Sequence, residues 1–178
     1  MAQPNIYTFQ TLSDTNQHAV IKLTGWFDGA NAESNSTRIQ ANTLSFALDT
    51  SKANLLSSSA NTGALSYYGL SVDRVWYNSS ADVELYWSSS NGNANTIIHI
   101  PPQGTGSYNG EGNWVTIPNN AKGQTGCIGN IGIKTDPAPA HGSSYTIIIS
   151  LRKDNEHYSR GQLADPSAFN YDHYALKP

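Results

Sequence analysis

The chain has 178 residues, 13% of them charged, and a formal net charge of −3. This length suits one domain that buries roughly 70% of its unfolded surface. The chain has no basic cluster, which argues against nucleic-acid binding, and no run of about 18 apolar residues that would cross a membrane. The start, MAQPNIYTF, lacks the basic and apolar regions of a secretion signal, so we expect no such signal.

The first part of the chain predicts strands separated by polar turns. Ile6 to Leu12 alternates in side-chain polarity and is followed by a turn cluster. His18 to Phe27 is a clear strand, with Ala19, Ile21 and Leu23 on one face and Val20 and Lys22 on the other, and Gly25 within it indicates a bulge or a bend. Weaker patterns predict a strand at Asn42 to Leu48, one helical turn at Ser51 to Leu56 and a strand at Leu65 to Leu70.

The stretch Val72 to Trp87, VDRVWYNSSADVELYW, predicts a β-hairpin. Its two halves are rich in Val, Tyr and Trp, and the polar residues Asn78 to Ala81 connect them. In the second half Val83, Leu85 and Trp87 alternate with Glu84 and Tyr86. This period of two places the apolar set on one face and the carboxylate on the other.

Further strands follow in the second half. They are predicted at Thr96 to Ile100, Trp114 to Ile117, Gly126 to Lys134 and Tyr145 to Leu151. The continuous apolar run of Tyr145 to Leu151 is typical of a centre strand covered on both faces. The glycines of Gly104 to Gly112 lack the Lys and the following helix that a phosphate-binding loop needs, so we expect a flexible surface loop.

Eight or nine short strands without a helical period predict an all-β protein. We expect an antiparallel β-sandwich over residues 1–152, either jelly-roll-like or immunoglobulin-like. Residues 153–178 show no strand alternation and predict an extended C-terminal arm. The arm is unusually aromatic for a disordered tail, so we expect it to dock on a neighbouring subunit. Its candidate contact residues are Tyr158, Leu163, Phe169, Tyr171 and Tyr174. The alternative is a disordered or self-packed C-terminus.

The residues that could carry chemistry are scattered. Cys127 is the only cysteine, which excludes an internal disulfide, and we expect it to be a small buried side chain. The five histidines have no metal-ligand spacing; His18 and His99 are expected at sheet edges or in the core. We therefore expect no metal site and no cofactor.

Two acidic groups have a functional alternative. The loop with Asp28, Asn31, Glu33 and Asn35 could bind Ca²⁺ through oxygen ligands, although a solvated turn is the default. Asp82 and Glu84 flank one strand position, as paired carboxylates of glycosidases can, but we expect a solvated strand edge. No nucleophile–base spacing is visible, so we expect no enzyme.

The aromatic residues are expected to be mostly core, because each ring buries a large area. A sugar-stacking platform is the alternative. The residues concerned are Trp26, Trp76, Trp87, Trp114, Tyr67, Tyr68, Tyr77, Tyr86 and Tyr108.

Four segments together carry a family resemblance. They are HAVIKLTGWFDG (His18 to Gly29), VWYNSSADVELYW (Val75 to Trp87), WVTIPNN with its Gly-rich continuation (Trp114 to Gly129), and YTIIISLRK (Tyr145 to Lys153). In this order they resemble small tailed-bacteriophage virion proteins of the capsid decoration, or cement, kind. That pattern tends to end near the last segment, so the tail is an addition to it.

The resemblance implies a non-enzymatic virion protein that binds the outside of the head at joints between capsomers and stabilises it. Its expected partners are the major capsid protein and neighbouring copies of itself. It would be assembled in the host cytoplasm and reside on the capsid surface. The rival functions are a carbohydrate-binding β-sandwich module and a host-recognition domain.

Overall fold

The computed structural model describes residues 4–15, 18–33, 36–44, 70–89, 95–109, 116–121, 127 and 129–153. These residues form nine strands and one short 3₁₀ turn, at Ala41–Thr43. The strands are β1 (Ile6–Asp14), β2 (His18–Trp26), β3 (Ser36–Ile39), β4 (Leu70–Ser79), β5 (Val83–Trp87), β6 (Asn95–Ile100), β7 (Gly104–Asn109), β8 (Ile131–Lys134) and β9 (Ser144–Lys153). The prediction of an all-β protein is confirmed.

The strands form two antiparallel sheets with a jelly-roll order. The first sheet has the order β1-β2-β9-β4-β7, and the second has the order β3-β8-β5-β6. Within them β2 pairs with β9, β3 with β8, β4 with β7 and β5 with β6. The chain from β2 to β9 is therefore one long hairpin rolled into two four-stranded sheets, which is the jelly-roll topology. This order selects the jelly roll over the immunoglobulin arrangement, and β1 adds a fifth strand beside β2.

The core lies between the two sheets and is lined by alternate strand residues. In β2 the three residues predicted to share one face, Ala19, Ile21 and Leu23, are buried. In β5 Val83, Leu85 and Trp87 are fully buried. Apolar burial of this kind contributes roughly 25 cal/mol per Å² and is the main force holding the sheets together. Glu84 points to the opposite, partly exposed face, as predicted.

The predicted hairpin of Val72 to Trp87 is wrong, although both of its strands exist. β4 belongs to the first sheet and β5 to the second, so residues 80–82 turn the chain from one sheet to the other. The polar connection binds β9 instead of closing a hairpin: the Ser80 N–H donates to the Ser144 carbonyl (2.9 Å), and the Ser144 N–H donates to Ser80 Oγ (2.9 Å).

Three other predicted strands change. The 3₁₀ turn occupies the beginning of the predicted strand at Asn42 to Leu48, and residues 45–48 lie outside the described residues. The predicted strand at Gly126 to Lys134 is shorter, because Gly129 has a φ of 95° and β8 starts only at Ile131. Ile117 forms a single bridge to Val72, whereas Trp114 is outside the described residues, as are the predicted elements at 51–56 and 65–69.

The flexible loop predicted from Gly104 is wrong, and the bulge expected as one alternative at Gly25 is absent. Gly104 to Asn109 forms an edge strand, β7, in place of a flexible loop. Gly25 pairs with Tyr145 in regular register, without a bulge. A Cβ atom at Gly25 would lie 2.3 Å from Cε1 of the Tyr145 ring, so the glycine makes room for that ring. Gly132 likewise makes room for the Tyr86 ring of the neighbouring strand.

β9 is the centre strand of the first sheet, as predicted, but only one of its faces is fully covered. Tyr145, Ile147, Ile149 and Leu151 are buried, whereas the alternate residues are partly or fully exposed. The outer face of the first sheet is therefore a surface of the described structure. The continuous apolar run misled the prediction because Ile148 lies on this outer face.

Candidate functional site

The predicted tail residues Tyr158, Leu163, Phe169, Tyr171 and Tyr174 lie outside the described residues, so their role stays a prediction. The described structure ends at Lys153, the residue where the predicted tail begins. Lys153 is 5% exposed, and its Nζ donates to the Asp14 carboxylate and to the Thr15 carbonyl. Burial lowers the pKa of Lys153 and the Asp14 charge opposes that shift. The root of the tail is therefore fixed beside the end of β1.

The predicted Ca²⁺ loop is occupied by internal contacts. Asp28 Oδ1 accepts hydrogen bonds from the backbone of Ala30 (2.8 Å) and Asn31 (3.3 Å), which is a turn of the solvated kind expected by default. Glu33 points into the protein and is 2% exposed. Asn35 lies outside the described residues.

The carboxylates of Asp82 and Glu84 are both engaged with neighbours. Asp82 Oδ1 lies 2.6 Å from His99 Nε2, and Glu84 contacts Thr96 Oγ1 (2.5 Å) and Lys134 Nζ (2.9 Å). Burial raises the pKa of Glu84, but the hydrogen bonds and the positive charge of Lys134 outweigh it and leave the pKa lowered. A glycosidase acid needs a raised pKa, so Glu84 is unsuited to that role.

The histidines of the described ranges do not converge. His18 pairs with Asp73 (3.3 Å), and His141 Nδ1 meets the Asp28 carbonyl (3.0 Å) at the other end of β2. No group of three potential metal ligands forms in the described part of the chain. Cys127 is buried as predicted, with Sγ 3.6 Å from Asn119 Nδ2.

Most of the described aromatic residues serve the core. Trp87 and Tyr86 are buried, and Tyr77 and Tyr108 pack against the core. Trp26 and Trp76 lie on the outer face of the first sheet, where Trp76 is 40% exposed. β9 runs between these two tryptophans, and their β9 partners Ser144 and Ile148 are four positions apart. The rings are therefore not neighbours in a stacking platform. Trp114, Tyr67 and Tyr68 lie outside the described residues.

A buried polar cluster, which the sequence reading missed, joins the two sheets. Arg38 of β3 forms an ion pair with Glu33 Oε1, and the Tyr145 hydroxyl of β9 donates to Glu33 Oε2 (3.1 Å). The Arg38 guanidinium also lies 3.9 Å above the centre of the Tyr7 ring. We call Glu33, Arg38 and Tyr145 the buried triad. All three polar groups have partners within the protein, and their contacts link β3 of the second sheet to β9 of the first.

The triad gives a testable pH dependence. Burial raises the pKa of Glu33 above its ordinary 4.5, with Arg38 and Tyr145 opposing the shift. The folded state then binds this proton more tightly than the unfolded state. We expect Glu33 to contribute less stability as the pH rises from 4.5 through its folded pKa. Urea unfolding at a series of pH values, for wild type and Glu33→Gln, measures this contribution as their difference. A difference that grows with pH would contradict it.

The most exposed apolar surface of the described residues follows β1. Four large hydrophobic side chains are exposed, and three of them belong to this strand: Ile6 (53%), Phe9 (47%) and Leu12 (47%). Phe9 is opposite the buried Leu23, on the face turned to the core, but the second sheet leaves it uncovered. β1 is also an edge strand, with no strand of the described part on its outer side. Ile6 to Ser13 contains no charge and no proline.

The alternation of backbone hydrogen bonds identifies the groups at this edge. The Phe27 N–H donates to the Ser143 carbonyl (2.9 Å), so the backbone groups of the odd-numbered β2 residues point to β9. The backbone groups of the even-numbered residues, such as Thr24 and Lys22, therefore point to β1. Their partners in β1 are Thr8 and Gln10. The backbone groups of Tyr7, Phe9 and Thr11 therefore point to the open edge. We call Ile6 to Leu12 the open edge.

Comparison with known proteins gives no relative from which a function could be transferred. No family model matches the chain, and no curated protein or solved structure matches it. Within the described ranges no helix has the length and hydropathy of a membrane span.

Proposed function

We propose that this protein is a non-enzymatic structural protein that binds the outer surface of a tailed-phage head and stabilises it. The phage assignment comes from the resemblance of four sequence segments. A role in contact is favoured by the structure of the described residues, in which the candidate catalytic carboxylates Asp82 and Glu84 are held by neighbouring side chains. The observation that carries the proposal is the uncharged open edge with its exposed apolar side chains, since exposed apolar surface of this kind marks interaction sites.

The jelly roll is compatible with this function but does not select it, because the fold occurs in viral capsid proteins, lectins and cupins. The one observation that favours a carbohydrate-binding function is Trp76. Its ring is exposed on the outer face, with the Arg74 guanidinium 6.0 Å away. A binding sugar would stack on this ring, and Trp76→Ala would abolish its binding.

Co-sedimentation tests the proposal directly. Purified protein is mixed with phage heads that lack it, prepared from the phage proposed to encode the chain. The fraction of protein that pellets with the heads is measured against the protein concentration. We expect saturable binding with a fixed number of copies per head, unaffected by Trp76→Ala. Protein that stays in the supernatant at every concentration, or pelleting that depends on Trp76 and is competed by glycans, would contradict the proposal.

The tail gives a second prediction. A chain ending at Lys153 keeps the anchoring contacts to Asp14 and Thr15, so we expect the sandwich to unfold at nearly the same temperature. A flexible arm that also binds the lattice raises the effective concentration of the sandwich, so its loss should weaken head binding by at least about 100-fold. Equal binding curves for the truncated and full chains would exclude the arm.

A further inference from the structure

The open edge is a surface through which two copies of the chain can pair. We propose that they pair through β1 in antiparallel orientation, on a twofold axis at Phe9, and form one continuous ten-stranded sheet. The inference names the contact between neighbouring copies within the proposed function.

The backbone of the open edge fits this pairing. Tyr7, Phe9 and Thr11 present their N–H and C=O groups outward, as derived from the β1–β2 ladder. A twofold axis at Phe9 sets Phe9 against its own copy and Tyr7 against Thr11. Each of these pairs joins two residues with outward backbone groups, so every pair can exchange hydrogen bonds across the interface.

The side chains are self-complementary in the same register. Ile6 of each copy meets Leu12 of the other, Thr8 meets Gln10, and the two Phe9 rings stand side by side. Apolar residues therefore pair with apolar residues and polar with polar, each contact adding to the sheet. A shift of the axis to Thr8 or Gln10 would place Ile6 opposite Gln10 or Asp14. A second copy is favoured over other occupants by this match.

The other edge strands are less suited to pairing with a second copy. β7 has six residues, two of them glycine, and β3 has four residues including Arg38. β6 has six residues and ends at Pro101-Pro102. Native proteins protect edges with charge, proline or short length. β1 is nine residues long, and its bulge, between Thr11 and Ser13, falls at Leu12, the last residue that would pair.

Analytical ultracentrifugation of the full chain tests the contact. We expect a reversible monomer–dimer equilibrium, and Phe9→Lys should raise its dissociation constant at least about tenfold, because two like charges would face each other at the axis. Thr105→Lys is the matched control: it places the same charge on β7, the opposite edge of the same sheet, and should leave the dimer intact. A wild-type chain that stays monomeric up to millimolar concentration would overturn the proposal.

Amide hydrogen exchange of the wild type keeps the test independent of how the variants fold. The amides of Tyr7, Phe9 and Thr11 should become protected as the concentration rises, while those of Thr8 and Gln10, bonded to β2, should be protected throughout. Edge protection that is independent of concentration and disappears on truncation after Lys153 would show that the tail covers β1, and would overturn the proposal. Dimerisation needs no phage heads, so failure of head binding and failure of the dimer are separate results.

Discussion

Replacing Arg38 by methionine is expected to lower the free energy of unfolding by about 3–5 kcal/mol at neutral pH. The Glu33 side chain is 0% exposed, so loss of Arg38 leaves a buried carboxylate whose one remaining side-chain partner among the described residues is the Tyr145 hydroxyl. The Arg38 side chain is 21% exposed and can still reach water if Glu33 is removed instead. Replacing Arg38 should therefore lower the free energy of unfolding more than replacing Glu33.

Urea unfolding of Arg38→Met, Glu33→Gln and the double variant measures this asymmetry. The double variant buries no charge, and its amide can still accept from Tyr145, so its stability should return to within about 1–2 kcal/mol of the wild type. Arg38→Met should also regain stability at low pH, where Glu33 takes up a proton. Equal costs for the two single variants, or no recovery in the double variant, would show that the triad is not a coupled buried group.

Gly25→Ala is the second large effect, with an expected cost of about 3 kcal/mol, the upper end for overpacking. The new Cβ would lie 2.3 Å from Cε1 and 2.6 Å from Cζ of Tyr145. That ring is held in place, because its hydroxyl is bonded to Glu33 and the ring contacts Phe27 at a tilt of 50°, with 5.9 Å between the ring centres. Chemical denaturation of the variant measures the cost.

Gly106→Ala is the matched control for this change. Gly106 faces Tyr77 across β4 and β7 in the same arrangement, but the nearest atom is the hydroxyl of a partly exposed ring (2.7 Å), which can turn away. Its cost should stay below about 1 kcal/mol. In a Tyr145→Leu background the Gly25→Ala cost should largely vanish, giving a coupling of about 2 kcal/mol. If the two substitutions lower the free energy of unfolding additively, the destabilisation by Gly25→Ala does not come from a clash with Tyr145.

The sequence predicts the strands of this fold better than their arrangement. The period of two in β2 and β5 is local, since alternate side chains must reach the core whatever the neighbouring strands are. The sheet to which a strand belongs is not local. The connection from Ser80 to Asp82 is as short and polar as a hairpin turn, yet it joins different sheets, because Ser80 bonds to Ser144 in β9.

The roles of Gly25 and of β1 also depend on residues that are distant in the sequence. Gly25 is required by a tyrosine far along the chain, and no neighbouring residue reveals that partner. β1 was predicted as a strand, but the contact proposed for it depends on its place at the end of the sheet order. The uncharged run from Ile6 to Ser13 was the signal that could have indicated it. The triad was missed because Glu33 was assigned to a solvated loop.

The central claim, that this protein acts by contact on the surface of a phage head, is tested most directly by electron microscopy of heads saturated with it. The account predicts additional density at regular positions between capsomers, with the jelly roll resolved and the tail leaving it beside Lys153 and β1. Heads without added density, or density scattered irregularly over the shell, would contradict the claim.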